Sequence, residues 1–472
     1  MACATDAEAL LRHPDVPRRI NEARIADFLE QLEAIDLTST FFEGLTRLPP
    51  AHALQVENGA LRVWRYWQLT PPAAPSRASA QDNAQAFLAI FTEAVRARLR
   101  SPEPVGAMLS GGIDSGSVTA IAARLVQQAG GPPLRSFSAI DDDPACPESA
   151  GVRAAIGHIA HLNPHRVSLG ESKAFRDRVA QLTREQSDPF DGHMAMIRAL
   201  YFAAQQAGVK VMLDGVAGDT SLPAGDMIAF HLAHGRLRTA WAEAQAHDRF
   251  WGGQLPAGKE LRSSAQRAFL PGWLQRMRQR RWVAAEARLA AQQSIVHPDL
   301  AARIDMPERR RADARHIHVG HSCDPAAQAL RMLHPYLIVG RERYDRVAGQ
   351  CGIEPRDPFL DTRVLEFVLS LPPEQLHAEG WSKLILRRAM ERIVPDSVRW
   401  KTGRDHIGWR FSESLGDHEW SPETEAKIEK YAKMSRIRGD SALQRSTDGV
   451  VSRSDLFYLA SWITRINCFG SE

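Results

Sequence analysis

Six consecutive residues, Ser110-Gly111-Gly112-Ile113-Asp114-Ser115, carry the clearest chemistry in this chain of 472 residues. They lie between a short apolar run, Val105 to Leu109, and a helical pattern set by Val118, Ile121, Leu125 and Val126. In a strand–turn–helix of this kind, glycines let the backbone approach an anion with no Cβ in the way. The amides at the helix start point at that anion, and the helix dipole favours its negative charge. The hydroxyls of Ser110 and Ser115 add hydrogen-bond donors. Asp114 is the odd member, because a carboxylate beside a phosphate is repulsive unless a cation separates them; a magnesium ion bridging to phosphate oxygens would do so. The loop is not a Walker A loop, which needs a lysine that is missing here. Two glycines in a turn are weak evidence alone, so the functional reading of Asp114 and Ser115 rests on the strand before them and the helix after them.

The elements that must hold this loop can be read on either side of it. A helix is expected where Phe87, Phe91, Val95 and Leu99 recur near helical spacing. The loop's own helix should end at Gly130-Gly131. "LRSFSAI", "HRVSL" and "KVMLD" read as three further strands with helical segments between them. Strand–helix alternation argues for an α/β fold with a parallel sheet. From about residue 225 onward the pattern is mainly helical. It includes two arginine-rich stretches, "RMRQRRW" and "PERRRADARH", whose plain reading is a solvated face and whose sharper reading is a docking surface for an acidic peptide or partner. Ahead of all this, residues 1–70 are mixed: a helical pattern at Ile25, Phe28, Leu29 and Leu32, then two strand-like stretches joined by Asn58-Gly59, a hairpin signal. Residues 71–80, rich in proline and small residues, read as a linker to a domain covering 81–472.

Composition sets outer bounds. The chain is 44% hydrophobic and 24% charged, ordinary for a globular protein, and its net charge of +3 is too small to argue for a nucleic-acid or membrane partner. The five cysteines are dispersed and show no metal-ligand spacing, which suits free thiols in a reducing, cytoplasmic setting. The first thirty residues contain no signal-peptide core, and no apolar run reaches the roughly 18 residues that span a bilayer.

The order strand–SGGIDS–helix resembles the loop of the ATP pyrophosphatase superfamily, which includes GMP, NAD and asparagine synthetases and cleaves ATP between its α and β phosphates. Three downstream segments narrow the resemblance: "VMLDGVAGDTSLPAG", "GIEPRDPFLDTRVLEFVLSLP" and "WSKLILRRAMERIVPDSVRWKTGRDHIGWRF". With "FFEGLTRLPPAHALQVENGALRVWRYWQL" near the start, the chain is similar to the asparagine synthetase-like family from about residue 20 to 465. The resemblance implies a parallel-sheet ATP-pyrophosphatase domain with a largely helical C-terminal part, preceded by a remnant of an N-terminal-nucleophile glutaminase domain. It implies an AMP-forming carbon–nitrogen ligase using ATP and Mg2+, with ATP contacts at Leu109, Ser110, Gly111, Gly112, Asp114 and Ser115. Ala139, Asp214 and Gly215 match adenosine-side positions, and Asp114 and Asp219 match the metal-holding aspartates. Lys401 matches the lysine that meets the α-phosphate, with Lys383 a second cation and both counted with Asp114 as catalytic. Each has a duller reading: Asp214 as a turn residue, Asp219 as a cap, and Asp361 as the cap of the helix "TRVLEFVLSL", which is the favoured reading there.

Two departures bear on the substrate. The family's glutaminase cysteine follows the initiator methionine, whereas the first cysteine here is Cys3, without the following glycine, so glutaminase activity is not expected. The family's proton-transfer glutamate is replaced by Val216, and the acid after Asp219 by Thr220. Valine exchanges no proton, so another base must act when an amine becomes an amide; Asp226, Asp405 and His406 are candidates. The expected substrate is a small molecule or peptide bearing a carboxylate and an amine. Aspartate with ammonia is one such pair. A β-lactam or lasso-peptide type of ring closure by an internal amine is an alternative, and a catalytically inactive nucleotide-binding scaffold is the alternative of another class. A homodimer or a separate partner protein is left open.

Overall fold

In the computed structural model, residues 1–33, 35–223, 225–317, 322–403, 407–415, 422–433 and 453–468 are described. Five strands form a parallel sheet: β3 (Val105–Met108), β4 (Leu134–Ile140), β5 (Leu162–Ser168), β6 (Val211–Leu213) and β7 (Glu354–Arg356), in the order β5-β4-β3-β6-β7. The central strands are apolar and buried on both faces, as parallel sheets covered by helices require. A separate antiparallel hairpin joins β1 (His52–Glu57) to β2 (Ala60–Arg65), with Asn58 and Gly59 both at positive φ in its turn.

The first four strands of the sheet fall where the apolar runs place them. The fifth, β7, was not anticipated: it is three residues long and pairs with β6 across some 140 residues of mainly helical chain. Nothing in the local pattern "EPR" announces it. The helix Ala80–Arg98 buries Phe87 and Phe91 fully and starts at a Ser79 cap that accepts from the Asp82 amide. Phe91 packs on Phe359, with ring centroids 4.6 Å apart, so this helix fixes the segment that follows β7. Asp361 caps the helix Thr362–Leu369 by accepting from the Arg363 amide at 3.0 Å.

The N-terminal residues do not stand apart from the rest. Side chains from Leu11 to Leu45 share one core with Ile295–Met306, Ile428–Ala432 and Leu456–Ile466, centred on the fully buried Trp462. The arginines of "PERRRADARH" complete this contact. Arg309 grips Asp27 through two bonds of 2.6 and 2.5 Å, and Arg310 grips Glu30 at 2.8 and 2.7 Å. The acidic partner of that stretch is therefore the chain's own N-terminal helix, so for Arg309 and Arg310 neither a solvated face nor an external dock applies. "RMRQRRW", by contrast, is exposed along its whole length. Cys3, Cys146, Cys323 and Cys351 are free thiols, three of them buried, and no helix of the described residues is long and apolar enough to cross a membrane.

Candidate active site

Along the sheet, β3 is the point at which strand order reverses: β4 and β5 lie to one side, β6 and β7 to the other. A parallel sheet opens a crevice at the carboxyl ends of its strands at such a point. The loop Ser110–Ser115 leaves β3 there, and Asp214-Gly215 leaves β6 beside it.

The helix Ile113–Gln128 begins at Gly112, which offers no side-chain cap, so its first amides keep their donors for another acceptor. Ser115 Oγ is 2.9 Å from Ser110 Oγ and accepts from the Ser110 amide at 3.0 Å, which folds the turn back on itself. The two glycines have different tasks. Gly111 sits at φ +72°, and a Cβ on it would lie 2.5 Å from the Val152 amide nitrogen and 2.6 Å from the Glu148 carbonyl oxygen. It lets the loop rest on the helix Pro147–His158, where Gly151 makes room. A Cβ on Gly112 would meet only Ser110 Oγ at 3.6 Å, so Gly112 is the one with open space beside it.

Asp114 is clamped from the β6 side. A Cβ on Gly215 would lie 2.8 Å from the Asp114 carbonyl carbon and from the Ser115 nitrogen, and one on Gly218 would lie 2.5 Å from Asp114 Cγ. The glycines of "DGVAGD" thus allow the two loops to touch. Lys383 closes the cluster: its ammonium pairs with Asp114 Oδ2 and, at 2.6 Å, with Asp219 Oδ1. Burial pushes the Asp114 carboxyl upward, opposed by the Lys383 charge. Burial pulls the Lys383 amine down, but Asp114 and Asp219 more than reverse this, so it stays protonated. Asp114 Oδ1 is buried with no hydrogen-bond partner.

Lys383 itself adopts a left-handed backbone, φ 57° and ψ 34°, uncommon for a side chain of its size. Its neighbours hold it so. Glu243 accepts from the Glu379 and Gly380 amides at 2.6 and 2.9 Å just upstream. Arg387 donates to the Ser382 carbonyl at 2.8 Å and to the Arg399 carbonyl, with its guanidinium 4.8 Å from the Trp381 ring centroid. Arg399 returns a bond to the Arg387 carbonyl at 3.1 Å. The Lys383 loop and the segment before Lys401 are thereby fastened together.

The remaining expected residues divide. Ala139 is buried near the end of β4 and Leu109 just beyond β3, both at the carboxyl edge. Asp214 faces inward: both its oxygens take Arg341 Nη1, at 2.8 and 2.9 Å, and Asp357 Oδ2 lies 3.8 Å from the same nitrogen. Asp357, buried and beside Asp214, has its carboxyl pushed upward, first by desolvation. Asp214 therefore shapes the end of β6, and Gly215 is the part of that pair that meets the loop. Lys401 follows the short helix Asp396–Arg399, which packs on the loop's helix; among the described residues its ammonium makes no ion pair. Val216 is 40% exposed. Asp226, a candidate base, is engaged by its partners: it caps the helix Met227–Ala233 and pairs with Arg267 at 2.6 Å. Asp405 and His406 lie outside the described residues.

The asparagine synthase pattern matches residues 86–436, about three-quarters of the chain. This chain belongs to the asparagine synthase family. It is 24% identical over 417 residues to asparagine synthetase [glutamine-hydrolyzing] 3 of Bacillus subtilis (84% of this chain, 60% of that protein). It is 28% identical over 400 residues to a putative asparagine synthetase [glutamine-hydrolyzing] of Mycobacterium tuberculosis (78% and 55%). It is also 25% identical over 404 residues to amidase chyE of Penicillium rubens (76% and 58%). The chain thus spans 55–60% of the length of these relatives.

In this asparagine synthase family member, sequence reasoning missed Arg341, Asp357, Arg387 and Glu243. Arg387 was in view, inside "WSKLILRRA", but only its fold-back onto Arg399 separates it from the Arg388 beside it. Glu243 carried no signal, since it sits on an ordinary helix 140 residues from the lysine whose loop it fixes.

Proposed function

We propose that this protein adenylates a carboxylate with ATP, releases pyrophosphate, and passes the acyl group to an amine, giving an amide and AMP. The observation that carries the reading is the Asp114–Lys383–Asp219 cluster beneath an uncapped helix start at the sheet's switch point. Uncommitted amides of residues 113–115 and the Ser110 and Ser115 hydroxyls suit the phosphates of ATP. Lys383 and Lys401 suit the negative charge that grows on the α-phosphate as the carboxylate oxygen attacks and pyrophosphate leaves. Family position assigns Ala139, Asp214 and Gly215 to the adenosine side of the nucleotide and Leu109 to the ATP contacts of the loop.

A magnesium ion fits the residues present. Asp114 Oδ1 is buried and without a partner, and Asp219 meets the same lysine as Asp114, so these two carboxylates would hold it. Bound there, it would screen the phosphates from the carboxylates and stabilise departing charge. Among the described residues no group of three acidic, histidine or cysteine side chains gathers, so most of its ligands would come from phosphate and water.

Val216 favours a variation on the acceptor. With an exposed valine where the family has a proton-transfer glutamate, the attacking amine brings its own base or is delivered unprotonated. An internal amine in the same substrate meets that condition more easily than free ammonium. The hairpin β1–β2 and its flanks we read as the tail of a glutaminase-like domain. The test is to supply MgATP with aspartate and ammonium, then with peptides carrying a side-chain carboxylate and a free N-terminus, and to assay AMP and pyrophosphate. Release of both by the wild type, lost in Asp114→Asn, supports the reading; release of ADP and phosphate in their place would overturn it.

A further inference from the structure

Positive charge and apolar exposure gather in one helical part of the molecule. Between Arg236 and Gln293 there are eleven lysines and arginines against four acids, whereas the whole chain carries only +3, so the excess is local. Within this stretch the helix Gly272–Gln293 buries a single side chain, Val283. Trp273, Trp282 and Leu289 on it are 63%, 37% and 48% exposed. A helix of 22 residues that covers so little of its own apolar surface is the mark of an interaction face.

The helix borders a cleft of about 980 Å³. Its apolar walls include Ala229, Phe230, Ala233, Leu270, Leu371 and Pro372, and Gln275, Arg278 and Gln279 form its helical lip. At 3.6 residues per turn, Gln275, Arg278, Gln279, Trp282 and Leu289 share one face. The exposed Trp282–Leu289 stripe therefore prolongs the cleft along the helix by roughly 15 Å.

The acids at the cleft are already engaged. Asp226 pairs with Arg267 at 2.6 Å, Glu374 with Arg236 at 3.0 Å, and Asp324 caps the helix Pro325–Met332. Arg276, Arg278, Arg280 and Arg281 make no ion pair among the described residues. Of these, Arg278 stands on the cleft lip, Arg276 and Arg281 flank it about 60° round the helix on either side, and Arg280 points away, so the uncompensated charge at the lip is positive. A flat bilayer is a poor match: Trp273 and Trp282 stand nine positions apart, on opposite sides of the helix, so a membrane could take only one. A concave apolar trough with a cationic rim suits a chain laid in a groove.

We propose that the cleft and the Trp282–Leu289 stripe dock an acidic segment of another protein, anchored by apolar side chains. This does not rest on the ligase chemistry, and binding is read without ATP. The probe is a fluorescein-labelled peptide of about 15 residues, glutamate with leucine at helical spacing, followed by anisotropy. Saturable micromolar binding that weakens about tenfold in the combined variant Arg276→Gln, Arg278→Gln, Arg280→Gln, Arg281→Gln is expected, and about tenfold again in Trp282→Ser. The four arginines are exposed, so the combined variant should melt at the wild-type temperature, and the melting curve of Trp282→Ser tells a lost contact from a lost fold. Replacing the leucines of the probe by glutamine should abolish binding. No saturable binding by the wild type, or equal binding by the variants, would overturn the proposal. So would tighter arginine-dependent binding to phosphatidylglycerol vesicles or to labelled single-stranded DNA, because the surface would then serve another class of partner.

Discussion

Adding a single methyl group at residue 218 tests whether the placement of Asp114 governs the chemistry. The Cβ of Gly218→Ala would lie 2.5 Å from Asp114 Cγ, 2.8 Å from Oδ1 and 2.9 Å from Cβ. Carbon atoms rest at about 3.5–4.0 Å, so the carboxylate must retreat by about 1 Å. Turning the side chain cannot supply all of this, because Asp114 Cβ is itself too close. Nor can the helix start withdraw freely, since Gly215 presses on the Asp114 and Ser115 backbone from the same loop. A misplacement of about 1 Å in a reacting constellation costs on the order of 100-fold in rate. The cost to the fold is smaller, about 1–3 kcal/mol of overpacking, partly offset by about 0.4–1 kcal/mol from a stiffer unfolded chain. AMP formation should therefore fall about 100-fold while the melting transition moves by only a few degrees and stays cooperative. Gly112→Ala is the companion, since its Cβ meets only Ser110 Oγ at 3.6 Å; it should leave stability intact and weaken MgATP binding measured by calorimetry. Wild-type turnover in a folded Gly218→Ala protein would refute the reasoning, because the carboxylate position would then not matter.

Three other perturbations have definite expected outcomes. Lys383→Met strands Asp114 in a buried site beside Asp219, so it should lower stability by about 3 kcal/mol in urea unfolding and abolish AMP formation, with part of the stability recovered in the double variant with Asp114→Asn. Arg310→Leu breaks a pair in which both partners are buried and should cost about 3–5 kcal/mol, exposing residues 12–20 to limited proteolysis; an unchanged melting temperature and digestion pattern would count against the N-terminal docking described above. Asp361 is held down to about 2 by hydrogen bonds from Arg363 and Arg98, so its folded value lies below the unfolded 3.8. That stabilisation is complete above about pH 4 and is lost as pH falls through about 2; with Arg363 half exposed it amounts to about 1 kcal/mol. Acid unfolding of Asp361→Asn should show a shallower loss than wild type in that window, and parallel curves would refute the assignment.

How much of this could be read from the sequence depends on whether a signal is local. The loop Ser110–Ser115 was legible because strand, glycines and helix pattern are contiguous, and the four strands that follow apolar runs were legible for the same reason. The hairpin at Asn58-Gly59 was legible because both residues tolerate positive φ. β7 was not, since three residues reach edge pairing only after a long helical excursion. Arg309 and Arg310 misled because a run of charge looks alike whether it faces water or two acids from residues 27 and 30. Asp214 is a different case. Its position beside Gly215 is the one the resemblance indicates, but Arg341, more than 120 residues away, turns its carboxylate inward.

Lys383 and Val216 together argue that this site holds phosphate chemistry firmly while leaving the acceptor side open. Lys383 accepts an unfavourable left-handed backbone, and Glu243, Arg387 and Arg399 all contribute bonds that keep it there. A strained cation persists only where its surroundings over-determine it, which ties the strain to the two carboxylates it meets. Val216 has no such support: it follows Asp214 on the same loop, and its side chain is 40% exposed. A neutral, exposed side chain there places no demand on the incoming amine beyond fitting. Val216→Glu restores a proton acceptor at this point, so it should raise turnover with ammonium relative to any amine-bearing acyl donor. Equal ratios in the two proteins, measured as AMP formed with each acceptor, would mean that proton removal lies with the substrate or with residues elsewhere.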